Sequence, residues 1–186
     1  MRHLPNVLTL LRLALVYPVV MALLHEHYSL ALGLFVIAGI TDALDGYLAK
    51  HRGWKSRLGA ILDPLADKAL LTVSYLTLTW LGLIPWWLTA IVIGRDVLIV
   101  LGALAYHFFI APLSPSPTYL SKLNTFAQIL LVIAVILQQS LHLFPPVFIQ
   151  GLFYGVLLTT LLSGADYVWT WGRKAWSIRH ERSAAP

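Results

Sequence analysis

An all-α integral membrane protein of six transmembrane helices, with both termini on the cytoplasmic side, is the fold class this sequence predicts, and three observations predict it. The first is composition. Of 186 residues, 59% are hydrophobic and only 11% charged, against about 25% charged in soluble domains. A mean hydropathy of +0.77 asks for more interior than so short a chain encloses, so the excess apolar surface faces lipid. The second is the length of the apolar runs. One span takes roughly 20 residues, and six such runs consume most of the chain, so residues 1–186 form a single transmembrane domain. The third is the confinement of basic residues to alternate loops.

The first span covers 7–24, behind Arg2 and with Arg12 toward its inner end. Residues 21–27 read MALLHEH, which offers no small-residue cleavage site, so the span is expected to be retained. The second, 29–49, runs into an inner loop holding Lys50, Arg52, Lys55 and Arg57. The third, 60–81, returns outward, and the fourth, 85–106, begins at Trp86 and Trp87, amphipathic rings suited to an interface. The fifth, 120–140, follows the Pro-rich stretch APLSPSPT and carries Lys122 at its inner end. The sixth, 146–172, passes Trp169 and Trp171 into a tail with Arg173, Lys174, Arg179 and Arg182. The opposite loops, around 25–28, 82–87 and 140–146, contain neither Lys nor Arg. That asymmetry orients both ends to the cytoplasm. A pI near 9.6 then reflects the inner face and anionic headgroups, with no nucleic-acid partner expected. Cysteine is absent, which excludes disulfides and thiolate metal sites.

The acidic residues carry the functional signal. Six of eight (Asp42, Asp45, Asp63, Asp67, Asp96 and Asp166) lie inside predicted spans, and only Glu26 and Glu181 lie outside. An aspartate near the bilayer centre costs about 2.5–3.5 kcal/mol on insertion scales. Asp42 and Asp45 are three apart, with the small residues Gly46 and Ala49 following on that face, and Asp63 and Asp67 are four apart on the next helix. Both pairs therefore face one way on their helices and lie near the same basic inner loop. Four carboxylates at one depth repel unless cations neutralise them. Two divalent ions do so, and all-oxygen donors favour Mg²⁺ or Mn²⁺ over Zn²⁺. A two-metal clamp suits in-line phosphoryl chemistry. The basic loop beside it suits a polyphosphate, although the same charges also serve topology.

Residues 42–67 read DALDGYLAKHRGWKSRLGAILDPLAD, which resembles the signature D-x2-D-G-x2-A-R-x8-G-x3-D-x3-D of the CDP-alcohol phosphatidyltransferase family. Asp42, Asp45, Gly46, Ala49, Gly59, Asp63 and Asp67 all fall at the signature spacing, and Lys50 replaces its arginine, keeping the charge but losing the planar fork. LPNVLTLLR, IGRDVLIV and LSKLNTFAQ extend the resemblance over nearly the whole chain. It implies a six-helix, homodimeric membrane enzyme that moves a phosphatidyl group from CDP-diacylglycerol to an alcohol acceptor and releases CMP. Under that resemblance Asp42, Asp45, Asp63 and Asp67 bind the metals, and Asp67 is also the general base. Gly46, Ala49, Lys50 and Gly59 sit at the nucleotide. Asn6, Thr9 and Arg12 are further candidates there; alternatively Asn6 or Thr9 caps the first helix and Arg12 snorkels. Arg95 and Lys122 are the acceptor-binding candidates. Glycerol-phosphate members tend to read K-x-K-T at the fifth span, whereas this chain reads Lys122-Leu123-Asn124-Thr125. The missing lysine favours phosphatidylglycerol, and so the cardiolipin-forming members, over glycerol 3-phosphate as acceptor.

Two rival classes use similar residues. An ion-coupled transporter also places carboxylates in the membrane, but strings them through its depth and usually in repeated halves. Intramembrane prenyltransferases bind diphosphates through Asp-rich motifs, but on non-adjacent helices and without the Gly59 spacing. For Arg95 and Asp96, adjacency in a helix predicts that each pairs elsewhere. His25 and His27 are read as solvated loop residues, and Asp166 as a satisfied residue near the interface. With no transit-like leader visible, residence in a bacterial inner membrane, the site facing the cytoplasm, is the expectation.

Overall fold

The computed structural model describes residues 4–52, 59–109 and 118–184, with side chains over 10–42, at Ala66, and over 68–106 and 118–173. Six helices follow in order: α1 (Leu4–Leu24), α2 (Tyr28–Arg52), α3 (Gly59–Trp80), α4 (Trp86–Phe109), α5 (Tyr119–Leu141) and α6 (Pro146–Ala184). No strand occurs among the described residues. Each helix overlies one predicted span. The main departure is α6, which runs past its predicted end at 172 to Ala184. Residues 173–184 contain no Gly or Pro, so nothing local terminates the helix when the apolar run ends. Among the described residues, Trp86–Tyr106, Tyr119–Leu141 and Pro146–Arg173 are long and apolar enough to cross a membrane, and Leu10–Leu24 and Tyr28–Asp42 are shorter apolar stretches.

Tight turns end α1, α3 and α5. After α3, Gly82 adopts φ 73°, its N–H donates to the Thr79 carbonyl at 3.0 Å, and the Leu83 N–H donates to the Leu78 carbonyl at 2.9 Å. Glycine takes that left-handed conformation without a Cβ penalty. After α5, the Phe144 N–H donates to Gln138 Oε1 at 2.7 Å.

The chain forms two compact units, 1–85 with 132–145, and 86–131 with 146–186. In the first, α1 packs against both α2 and α3. Val19, Ala22 and Leu23 of α1, Ala31, Phe35 and Ala38 of α2, and Ala66, Leu70, Tyr75 and Leu78 of α3 are buried. The alanines let backbones approach, which is how helices associate where lipid supplies no hydrophobic drive. In the second unit α4 packs against α6. At Gly102 an added Cβ would stand 3.1 Å from the Tyr167 ring, so glycine there is what admits the ring. The Tyr167 hydroxyl donates to the Ile99 carbonyl at 3.0 Å.

Candidate active site

Helical period decides what the first unit presents. On α2 the buried positions Ala31, Phe35 and Ala38 lead to buried Thr41 and then to Asp42, whose side chain is 46% exposed. On α1, Arg12 lies on the face that carries Val19 and Leu23 into the core, and only 1% of it is exposed. Arg12 Nη1 and Asp42 Oδ1 meet at 2.9 Å. Snorkelling is thus corrected: a guanidinium on the packing face reaches a carboxylate on the neighbouring helix instead of the interface. A buried cation costs several kcal/mol unless paired, and Asp42 supplies the pair while leaving much of its own surface open.

Asp45 lies on α2 three residues from Asp42, and Asp63 and Asp67 lie four apart on α3, with Gly46, Ala49 and Lys50 on α2, Gly59 at the start of α3, and Asn6 and Thr9 on α1. The side-chain placements of these nine residues lie outside the described residues. Asp42 and Asp45 lie within the single helix α2, and Asp63 and Asp67 within α3. Carboxylate oxygens are the donors that hard divalent cations take, and the side chain of Asp42 is 46% exposed. His25 and His27 are exposed, their ring centroids 6.4 Å apart, and no group of three His, Asp or Glu gathers among the described residues.

The second unit holds the acceptor candidates. Arg95 is 8% exposed. Its Nη1 donates to Asp96 Oδ1 at 2.9 Å, and its Nη2 donates to Ser121 Oγ at 2.9 Å and to Ser163 Oγ. Arg95 thus pairs across to α5 and α6, as expected of a charge in a span, and in addition the long arginine stem bends the guanidinium back to its own neighbour Asp96. Its Nε has no hydrogen-bond partner among the described residues. Arg95 also lines an open groove of about 920 Å³ between α4 and α6. Lys122 is exposed, next to Ser121 on the first turn of α5, and is not among the groove residues.

Asn124, one turn further along α5 from Ser121, is 0% exposed. Its Oδ1 accepts hydrogen bonds from Thr159 Oγ1 at 3.1 Å and Thr160 Oγ1 at 2.9 Å, and its Nδ2 has no partner among the described residues. Sequence reasoning missed Ser121, Thr159, Thr160 and Ser163. A signal existed: Thr159, Thr160 and Ser163 put three hydroxyls into one short stretch of an apolar span, where hydroxyls usually serve a buried polar partner.

Comparison with known proteins bears on both units. A family model described as CDP-alcohol phosphatidyltransferase matches residues 2–165. A cardiolipin synthase (CMP-forming) of Rattus norvegicus is 35% identical over 188 residues, covering 91% of this chain and 61% of the relative. A protein of Mycobacterium tuberculosis named "Probable phosphatidylglycerophosphate synthase" is 34% identical over 175 residues, covering 89% and 80%. A CDP-diacylglycerol–glycerol-3-phosphate 3-phosphatidyltransferase of Cereibacter sphaeroides is 37% identical over 102 residues, covering 51% and 46%. The chain spans about three fifths of the length of the mammalian cardiolipin synthases it matches.

Proposed function

The chain belongs to the CDP-alcohol phosphatidyltransferase family, and from that premise we propose that it transfers a phosphatidyl group from CDP-diacylglycerol to phosphatidylglycerol, forming cardiolipin and releasing CMP. Asp67 takes the proton of the acceptor hydroxyl. That oxygen bonds to the β-phosphorus as the bond to the CMP oxygen breaks, so the phosphatidyl group changes hands and CMP leaves. Asp42, Asp45, Asp63 and Asp67 are the residues that hold two divalent cations, Mg²⁺ or Mn²⁺. When bound, such ions supply charge neutralisation for the diphosphate. Arg12 holds the Asp42 carboxylate from α1. Gly46, Ala49, Lys50 and Gly59, with Asn6 and Thr9, form the nucleotide side, and Arg95 and Lys122 the acceptor side. The placement of basic residues supports six spans, cytoplasmic termini and a site that opens inward.

The acceptor rests on Asn124. Glycerol-phosphate members of the family tend to carry a lysine at that position, and here it holds a buried neutral amide whose Oδ1 is committed to Thr159 and Thr160. A phosphomonoester needs more charge than an amide offers, whereas a phosphodiester lipid needs less. The relatives named for the glycerol 3-phosphate reaction favour the second reading, in which that molecule is the acceptor. The test is a reconstitution of the purified chain with CDP-diacylglycerol and Mg²⁺, offered each acceptor in turn, with CMP and the lipid product followed and Asp67→Asn as the blank. Cardiolipin with phosphatidylglycerol only is the expected result. Product with glycerol 3-phosphate only would overturn the assignment of the acceptor and leave the family chemistry standing.

A further inference from the structure

We propose that the polar pocket at the end of the first unit remote from Asp42 binds a primary ammonium group, with the Glu26 carboxylate as its counterion. The pocket, of about 450 Å³, lies between the α1–α2 turn and the last turn of α5, and Glu26, His27, Tyr28, Ser29, Gln139 and Ser140 form its polar wall. The Ser29 and Ser140 hydroxyls meet at 2.6 Å and tie α2 to α5 there. From Tyr28 to Asp42 along α2 is about 21 Å at about 1.5 Å per residue, so the pocket is separate from the aspartate motif. Glu26 is the residue that the backbone does not explain. The turns after α1 and α3 are built alike: the His27 N–H donates to the Ala22 carbonyl at 2.8 Å and the Glu26 N–H to the Leu23 carbonyl at 3.0 Å, as Leu83 and Gly82 donate to Leu78 and Thr79. This pattern calls for a left-handed residue, usually glycine. Gly82 fills it at φ 73°, but Glu26 fills it at φ 59°, where a Cβ crowds the following carbonyl. Its charge also sits at the negative end of the α1 dipole. Glutamate is the worse residue for the turn on both counts, so the turn does not account for it.

Charge and donor count identify the ligand. Glu26 is exposed and has no ion-pair partner among the described residues, and neither 25–28 nor 140–146 contains Lys or Arg. The C-termini of α1 at Leu24 and α5 at Leu141 bring two negative dipole ends to the pocket, against one positive end at the α2 start, Tyr28. The field therefore favours a cation. Beside the carboxylate, Ser29, Ser140, the Gln139 amide oxygen and a neutral His27 imidazole offer further acceptors. A primary ammonium carries three donors and no acceptor, which matches one charged and several neutral oxygens and nitrogens. A bare divalent cation asks for more carboxylates, and no group of three His, Asp or Glu gathers among the described residues. A quaternary ammonium calls for an aromatic cage, whereas the wall holds the single phenol of Tyr28. The apolar stretch Leu10–Leu24 ends at the pocket and Tyr28–Asp42 starts there, which is the level of lipid headgroups. The ammonium comes from an aminophospholipid or from a soluble amine, and the site does not depend on which acceptor the enzyme uses.

Native mass spectrometry of the full chain tests this with two probes. Released from micelles holding equal amounts of phosphatidylethanolamine and phosphatidylcholine, wild type should retain one phosphatidylethanolamine in preference by about tenfold, the lower worth of a hydrogen bond to a charged group. With ethanolamine added to those micelles, retention of the lipid assigns the site to the bilayer, and its replacement by ethanolamine assigns it to a soluble amine. Glu26→Gln should abolish the preference. Glu26→Gly should do the same while raising the melting temperature in detergent alone, because glycine suits the turn; ligand lost with stability gained separates binding from folding. Equal retention of the two lipids by wild type with no ethanolamine bound, or an unchanged preference in both Glu26 variants, would overturn the proposal. So would a Glu26→Gly variant less stable than wild type in detergent alone, which would show that the turn itself needs the glutamate.

Discussion

Among the described residues, each compact unit buries one arginine among apolar helices, and the two are held in opposite ways. Arg12 spends its guanidinium on a carboxylate of the aspartate motif, one that stays half open to the site. Arg95 spends its own on the adjacent Asp96 and on two serines from α5 and α6. The first is a buried cation paired with an anion of the proposed metal site. The second is a cation whose partners belong to the scaffold. A buried charge in a helix bundle must be answered, but whether the answer lies in the site or behind it determines what its loss does. Changes around Arg12 should move chemistry and stability together, and changes to the serines behind Arg95 should move stability first and reach the acceptor only through the aim of its guanidinium.

The largest expected effect lies in the motif itself. Asp67→Asn removes the proposed base, and CMP release should fall by about 10²–10⁴-fold, the usual worth of a general base, with the melting temperature near wild type. A variant that keeps its rate would break the functional half of the comparison. Next come the two sides of the first ion pair. Asp42→Ala removes a carboxylate partner from a cation that is 1% exposed, and should cost about 2–3 kcal/mol, somewhat below the about 3–5 kcal/mol for a fully buried pair. Arg12→Met strands a carboxylate with access to solvent, and should cost about 1 kcal/mol or less on the scale of exposed pairs. Denaturation of both variants in detergent checks the order, and a reversal would show that Asp42 is not the main partner of Arg12.

The second arginine sharpens the contrast at smaller magnitude. Ser163→Ala removes one acceptor from Arg95 and should cost about 1.5 kcal/mol, as hydrogen bonds to charged groups do. Ser121→Ala shares that nitrogen, so the double variant should cost less than the sum of the two singles in a double-mutant cycle. Simple additivity would mean that the two serines act independently. Smallest of all is Tyr167→Phe, which removes the bond to the Ile99 carbonyl. It should cost about 0.6 kcal/mol, the typical worth of a hydrogen bond between membrane helices, with the rate unchanged.

Much of this was legible along the chain because the bilayer imposes a one-dimensional code. An apolar run of sufficient length becomes a helix wherever it occurs, so six helices follow the six predicted spans within a few residues at most ends. The exception is the inner end of α6, where the lack of a helix breaker outlasted the lack of charge. The aspartate spacing needed only helical period to be read, and Arg95 stood out as a charge in a span. The partners were not legible. Nothing near Asp42 in sequence indicates Arg12, and Ser121 and Ser163 lie far along the chain from Arg95.

The sequence by itself determined the helices, the side of the membrane its charges favour and the identity of the motif, because hydrophobic length, loop charge and i,i+3 or i,i+4 spacing are local properties of the chain. The tertiary structure alone decided which cation meets which anion, that Asn124 is already engaged by Thr159 and Thr160, and that Gly102 admits the Tyr167 ring. Those outcomes depend on the rotation and register of one helix against another. Packing of side chains distant in sequence sets both, and no single segment encodes them.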